Sequence, residues 1–417
     1  MKSLQTLDKL LGRVACLVLQ PLLWIQRAMA GLRSRNRAKT SVEQVLLIKF
    51  WGIGSLQLLT PACQLVRGQV PGARLTLLTL EENADFARGL RDPHDGSPAF
   101  DDIMILDVQS NWIGLPYRIL RALWQLRRRG FDAVYDFEFF TRFSAIVSFA
   151  SGAPERHGFH APGIWRGGVH TRRVPFNRYW HVARNFSALA GQTIERDILP
   201  DELSPYGVLS EDECSIDAAL AGWLKQGPLI VVNPNAGRLS LERRWPISRF
   251  ARLAEDLVSQ RGANVALIGS NSEVAYTRQA IDMIGGSSQA RVRSFAGTLS
   301  MGELCALLQR ADLVVTNDSG PMHIAAALGT PTIGLFGPET PYMYRPLGDV
   351  ALALWAPPIC SPCINVHDNK VATCMHGQPE CLMRISVERV FDAAGRMLDN
   401  GRVPWRIGNP VGLEVLG

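Results

Sequence analysis

The run Asn317-Asp318-Ser319-Gly320-Pro321-Met322-His323 follows the apolar stretch Leu313-Val314-Val315-Thr316 and precedes Ile324-Ala325-Ala326-Ala327-Leu328-Gly329. That order reads as a strand, a turn and a helix. Ser319 or Gly320 suits the cap, Pro321 the first helical turn, and Gly329 with Pro331 the stop. Thr332 to Phe336 reads as the next buried strand. A helix opening at a strand end offers unpaired N–H groups and the positive end of its dipole, which suits a phosphate or diphosphate. Ser319 and His323 add donors, whereas the anionic Asp318 suits ribose hydroxyls or a supporting role. Without a ligand, the same residues make an ordinary turn with a helix cap.

The cations for such a site stand at Arg243 and Arg244, just before Trp245-Pro246. A guanidinium presents a fixed fork to phosphate oxygens; a solvated surface pair is the alternative. Asn233-Pro234-Asn235-Ala236-Gly237 ends another apolar run, so Asn235 and the backbone near Gly237 are within reach of a diphosphate or sugar. Gly269-Ser270-Asn271-Ser272-Glu273 follows the strand at Asn264 to Ile268. Asn271 and Glu273 suit ribose hydroxyls, or else a helix cap and its first-turn acid.

These segments need a scaffold, and the chain supplies two. Apolar strands at Gln44 to Phe50, Arg74 to Leu80, Asp102 to Leu106 and Ala133 to Phe137 alternate with helices near Leu56 to Arg67 and Pro116 to Arg129. A second alternation starts at Leu229 and runs past Phe336. Continuous apolar strands of this kind are buried in parallel sheets. The expected fold class is therefore α/β, with two doubly wound Rossmann-like domains and ligands at the carboxyl ends of their strands. The expected divisions are an arm at 1–40, domains at 41–205 and 206–400, and a tail at 401–417. A last helix is expected at about Ser386 to Leu398.

A chain of 417 residues that is 47% hydrophobic and 20% charged suits two folded domains. The net charge of +6 lies in the arm. Its first 39 residues hold eight Lys or Arg and one acid, leaving 36 Lys or Arg against 37 acids elsewhere. A neutral body argues against nucleic acid as partner. The apolar run Val14 to Ile25, bordered by Lys9, Arg13, Arg27, Arg33, Arg35, Arg37 and Lys39, is short for a spanning helix. It reads as an anchor on an anionic membrane surface, or as a helix packed on the protein itself. Ala28 and Ala30 also leave a signal peptide open.

The Asn317–His323 run, with Leu335-Phe336-Gly337-Pro338, resembles the signature of glycosyltransferase family 9, the family of the ADP-heptose:lipopolysaccharide heptosyltransferases. Val45 to Pro61, Tyr135 to Ser144 and Asn233 to Pro246 resemble further segments of it, and the resemblance spans about 43 to 395. It implies the GT-B architecture, with an acceptor-binding N-terminal domain and a nucleotide-sugar-binding C-terminal domain facing a cleft. It implies inverting transfer with no required cofactor. The donor would be a nucleotide sugar, ADP-heptose above all, and the acceptor a lipid-linked glycan of the lipopolysaccharide core kind. The location would be cytoplasmic, at the inner face of the membrane.

One position departs from the family. The acceptor-side turn Trp51-Gly52-Ile53-Gly54 is followed by Ser55, where the resemblance implies a catalytic aspartate. A serine is no base near neutral pH without activation. Glu138, which replaces a usual glutamine, is the first alternative candidate, and Glu82 the second. The alternative function is a nucleotide-sugar-binding protein with weak or no transfer. The Gly52-Ile53-Gly54 turn also hints at a dinucleotide site, but its third glycine position is Gln57. Cys360, Cys363, Cys374 and Cys381, with His367 and His376 among them, leave a structural metal, disulfides or reduced thiols open; only the first pair has zinc-ribbon spacing.

Overall fold

In a computed structural model the described residues are 8, 12–25, 42–107, 114–160, 164–191, 202–237, 240–364, 373–400 and 413–416. Most of the arm (Lys9 and Arg27 to Lys39), His367 and most of the tail lie outside them. The chain divides into two compact units, Met1–Pro200 and Asp201–Gly417.

The first unit is built on β1 (Gln44–Ile48), β2 (Arg74–Thr79), β3 (Asp102–Ile105), β4 (Ala133–Asp136), β5 (Glu155–His160) and β6 (Arg172–Pro175). All pairs are parallel, in the order β3-β2-β1-β4-β5-β6. Strand order reverses between β1 and β4, so the loops leaving these two strands diverge and open a crevice at their carboxyl ends. Residues 45–48 are fully buried because helices cover both sheet faces. The single helix expected over Leu56 to Arg67 is two, Ile53–Gln57 and Thr60–Gln69, since Pro61 suits only a first turn and forces a fresh start.

The second unit contains β7 (Leu229–Asn233), β8 (Asn264–Leu267), β9 (Val292–Ser294), β10 (Leu313–Asn317), β11 (Thr332–Phe336), β12 (Ala351–Trp355) and β13 (Leu413–Val415). These are also all parallel, ordered β13-β12-β11-β10-β7-β8-β9, with the switch between β7 and β10. Strand β13 comes from the segment expected as a tail. Helix Val387–Asn400 buries Val390, Ala393, Ala394 and Met397 in this unit's own core, beside helix Ile247–Arg261. Its apolar stripe is thus covered within this unit.

The arm's helix, residues 12–25, packs on the first unit. Cys16 and Leu23 are buried, Leu23 against Ala145 and Val169. Asp8 supplies a cap from a distance. Helix Phe143–Ala150 has no capping side chain at its own N-cap residue, Arg142. Asp8 Oδ1 instead accepts the N–H groups of Arg142 at 2.9 Å and Phe143 at 2.7 Å. No helix among the described residues is long and apolar enough to cross a membrane. Replacing Asp8 by alanine is expected to cost about 0.5–2 kcal/mol, the usual value of such a cap. Urea denaturation measures it, and an unchanged midpoint would show the arm to be merely resting on the unit.

Candidate active site

In the second unit, three loops meet at the carboxyl ends of β7, β8 and β10. Asn233, at the end of β7, donates from Nδ2 to Thr316 Oγ1 at 3.2 Å and to Ser319 Oγ at 3.0 Å. Asn235 donates from Nδ2 to the carbonyl of Ile268 at 3.0 Å, tying the β7 loop to the β8 loop. Asn317 donates to the carbonyl of Pro234 at 2.9 Å and accepts the N–H of Trp245 at 2.9 Å. Trp245 is itself fully buried, with its indole N–H on the carbonyl of Ile385 at 2.9 Å. A buried anchor thus fixes the two arginines that precede it.

Both arginines face the site already paired. Arg243 lies 3.2 Å from Asp318 Oδ2 and donates to the carbonyl of Ala236 at 2.8 Å. Arg244 lies 3.5 Å from Glu273 Oε1, its guanidinium 4.3 Å from the ring centre of Tyr276. Helix Gly320–Ala327 opens between these groups with Pro321 in its first turn, and no side chain caps it. Ser319 has its hydroxyl turned back to Asn233 and Thr316. The helix terminus is therefore open to an anion, with Arg243 held at its edge. His323 is buried one turn in. Glu273 accepts from the N–H of Ser270 at 2.9 Å in a capping box, and Asn271 sits in the short helix Asn271–Glu273. These loops bring together Asn235, Arg243, Arg244, Asn271, Glu273, Asp318, Ser319, Gly320, Pro321 and His323.

In the first unit, Trp51, Gly52, Gly54 and Ser55 follow β1, Glu82 follows β2 and Glu138 follows β4. The three strands are neighbours, so these residues share one sheet edge. Gly52 has φ +81°, a backbone that favours glycine. Glu82 is exposed in the first turn of helix Glu81–Gly89. Glu138 is fully buried, with Oε1 accepting from Lys49 Nζ at 2.7 Å, the Phe50 N–H at 2.7 Å and the Trp51 N–H at 3.1 Å. That carboxylate holds the turn that follows β1 in place, the geometry of a positioning residue. Behind it, Asp136 Oδ2 meets Ser144 Oγ at 2.9 Å and His170 Nε2 at 3.1 Å, with the buried Arg166 guanidinium 3.6 Å away. Burial pushes the His170 imidazole below its ordinary value, against the opposing pull of Asp136. Burial likewise lowers His157, which stacks on Tyr135.

Cys360, Cys363, Cys374 and Cys381 line one pocket with Glu242, Pro338, Ser361, Pro379 and Glu380. All four are free thiols. Among the described residues, no group of three or more His, Cys, Asp or Glu is arranged to hold a metal ion.

Several working residues had little sequence signal. Tyr276 carries the stack under Arg244, and Asn83 donates to the carbonyl of Phe50 at 2.8 Å from a helix interior. Lys49 is visible in sequence only as a polar end to a strand.

Two doubly wound, all-parallel Rossmann-like units define the GT-B fold class. The match to glycosyltransferase family 9 (heptosyltransferase) spans residues 119–373, and the chain belongs to that family. It is 28% identical over 261 residues to lipopolysaccharide heptosyltransferase 2 of Escherichia coli K12, covering 61% of this chain and 72% of the relative. It is 30% identical over 223 residues to lipooligosaccharide heptosyltransferase 2 of Haemophilus influenzae, covering 50% and 61%. The solved structure of E. coli ADP-heptose lps heptosyltransferase II shares the fold, with a TM-score of 0.67 at 20% identity over 86% of this chain and 99% of that one. The protein is a glycosyltransferase.

Two outcomes follow. Glu138→Gln strands the buried Lys49 ammonium without a counter-charge, and should cost about 3–5 kcal/mol in urea denaturation; an unchanged midpoint would contradict the positioning role. Below the ordinary imidazole value of 6.5, the unfolded chain takes up protons that folded His170 and His157 resist, so stability falls with pH there. The thermal midpoint should drop between pH 7.5 and 5.5, and drop less in the double variant His157→Gln/His170→Gln. Parallel curves would contradict the assignment.

Proposed function

We propose that the enzyme transfers a heptose from ADP-heptose, with inversion and without a metal, to the lipopolysaccharide core or a related bacterial surface glycan. The relatives' names support heptose and lipopolysaccharide. The observation that carries the donor reading is the uncapped terminus of helix Gly320–Ala327, with Arg243 held beside it. Backbone N–H groups and a guanidinium there meet the charge that grows on the departing diphosphate. Asp318 keeps Arg243 at the turn. Arg244, braced by Glu273 and Tyr276, and Asn235 border the nucleotide and sugar.

The acceptor hydroxyl attacks the anomeric carbon, the bond from that carbon to the diphosphate oxygen breaks, and ADP leaves. The hydroxyl's proton goes to a base on the acceptor unit. We place that role on Glu82, the exposed acid among the candidates, with Ser55 lining the turn and Glu138 holding it. The arm holds the enzyme on the inner face of the cytoplasmic membrane, where its exposed Leu17, Val18 and Trp24 enter lipid.

The test is incubation with ADP-heptose and heptose-deficient lipopolysaccharide, following ADP release and product mass. Expected are one added heptose of inverted anomeric configuration and no effect of EDTA. Glu82→Gln should lower kcat by about 10²-fold or more, with KM little changed. Hydrolysis without transfer, or an undiminished Glu82→Gln variant, would contradict the donor–acceptor reading or the base, respectively.

A further inference from the structure

Helix Leu115–Arg129 buries Leu126 and rests Ala122 and Leu123 on the core of the first unit. On its opposite side Tyr117, Leu120 and Trp124 are 68%, 66% and 56% exposed. Their spacing puts them in one stripe, and Arg121 and Arg128 fall in the same stripe, four residues after Tyr117 and Trp124. The Arg128 guanidinium lies 4.5 Å from the Trp124 ring centre. This helix carries five arginines and no acid. Arg118 pairs with Asp107 and Arg129 with Asp102. Arg121, Arg127 and Arg128 have no acidic partner among the described residues.

The arm's helix shows a comparable division. Its inward side holds Gly12, Cys16 and Leu23, and its outward side Val14, Leu17, Val18, Leu22 and Ile25. Both helices touch helix Phe143–Ala150, the arm through Leu23 and Asp8, the other through the cluster that joins Leu126 to Val147. Two exposed apolar strips therefore belong to helices that share one neighbour, the half-buried helix Phe143–Ala150.

We infer that Tyr117, Leu120 and Trp124, with Arg121 and Arg128, form a second lipid-contact surface, and that the enzyme docks on an anionic phospholipid bilayer through this stripe and the arm together. Aromatic rings at the acyl boundary with guanidinium groups at headgroup level match such an interface. A second copy of the chain fits worse, because a symmetric contact sets uncompensated arginines against arginines, whereas anionic headgroups neutralise them. The inference deepens the reading of the arm as an anchor and rests on it. It adds that the arm is one of two attachment points.

The full chain is sedimented with phosphatidylcholine vesicles, with and without phosphatidylglycerol. The parent should partition onto the anionic vesicles and weakly onto the neutral ones. Leu120→Glu/Trp124→Glu should lower that partition by about tenfold or more, with an unchanged melting temperature and unchanged heptose transfer to soluble acceptor fragments. Leu17→Glu/Val18→Glu should lower it independently. A helix variant that partitions like the parent overturns the inference while leaving the anchor reading intact. A parent that ignores anionic vesicles overturns both, and loss of self-association in the helix variant assigns the stripe to a second copy. Failure of transfer in a vesicle-binding parent would count against the donor reading alone.

Discussion

A parallel sheet that opens a crevice at its switch point also creates a difficulty there. The loops leaving β7, β8 and β10 carry backbone carbonyls and N–H groups into a space that other protein covers, and each must find a partner. Three asparagines meet that demand. Asn233 reaches across to Thr316 and Ser319, Asn235 to Ile268, and Asn317 to Pro234 and the Trp245 N–H. An amide both donates and accepts, so one residue type ties each loop to its neighbours. The lattice sets where helix Gly320–Ala327 begins and, through Trp245, where Arg243 and Arg244 stand. An anion arriving there meets the backbone N–H groups of an uncapped helix terminus, with Arg243 held beside them by Asp318.

The first unit solves the corresponding problem with charge. Phe50 and Trp51 turn away from β1 ahead of a glycine at φ +81°, and their N–H groups are drawn onto the Glu138 carboxylate. Lys49 neutralises it from below. A buried ion pair of this kind contributes little net stability compared with apolar residues of equal size. Its value here is geometric: it sets the path of the turn that ends in Ser55. The Glu138 anion thus supplies a counter-charge to the Lys49 ammonium as well as an acceptor for two backbone amides.

The strands were legible because double burial makes them uninterrupted apolar runs, as at Leu229–Val232 and Leu313–Val315. The open helix terminus was legible because Gly320 and Pro321 fit few other roles. What stayed hidden depends on contacts distant in sequence. Asp8 caps a helix 134 residues ahead of it, and no local pattern announces that. Tyr276 is an ordinary helix residue until Arg244 lies over it. The pairing of Glu138 was hidden because its neighbour Lys49, 89 positions away, gives no sign in sequence of turning inward. Strand β13 is three residues long, too short for a period-2 pattern to register.

The claim on which the mechanism turns is that the second unit grips a nucleotide through its diphosphate at the start of helix Gly320–Ala327. Isothermal titration of the full chain with AMP and with ADP tests it most directly. Charge-assisted hydrogen bonds to the second phosphate are worth about 1.5–3 kcal/mol, so ADP should bind about tenfold or more tighter than AMP, and Arg243→Ala should erase most of the difference. Equal affinities for the two nucleotides would contradict the account.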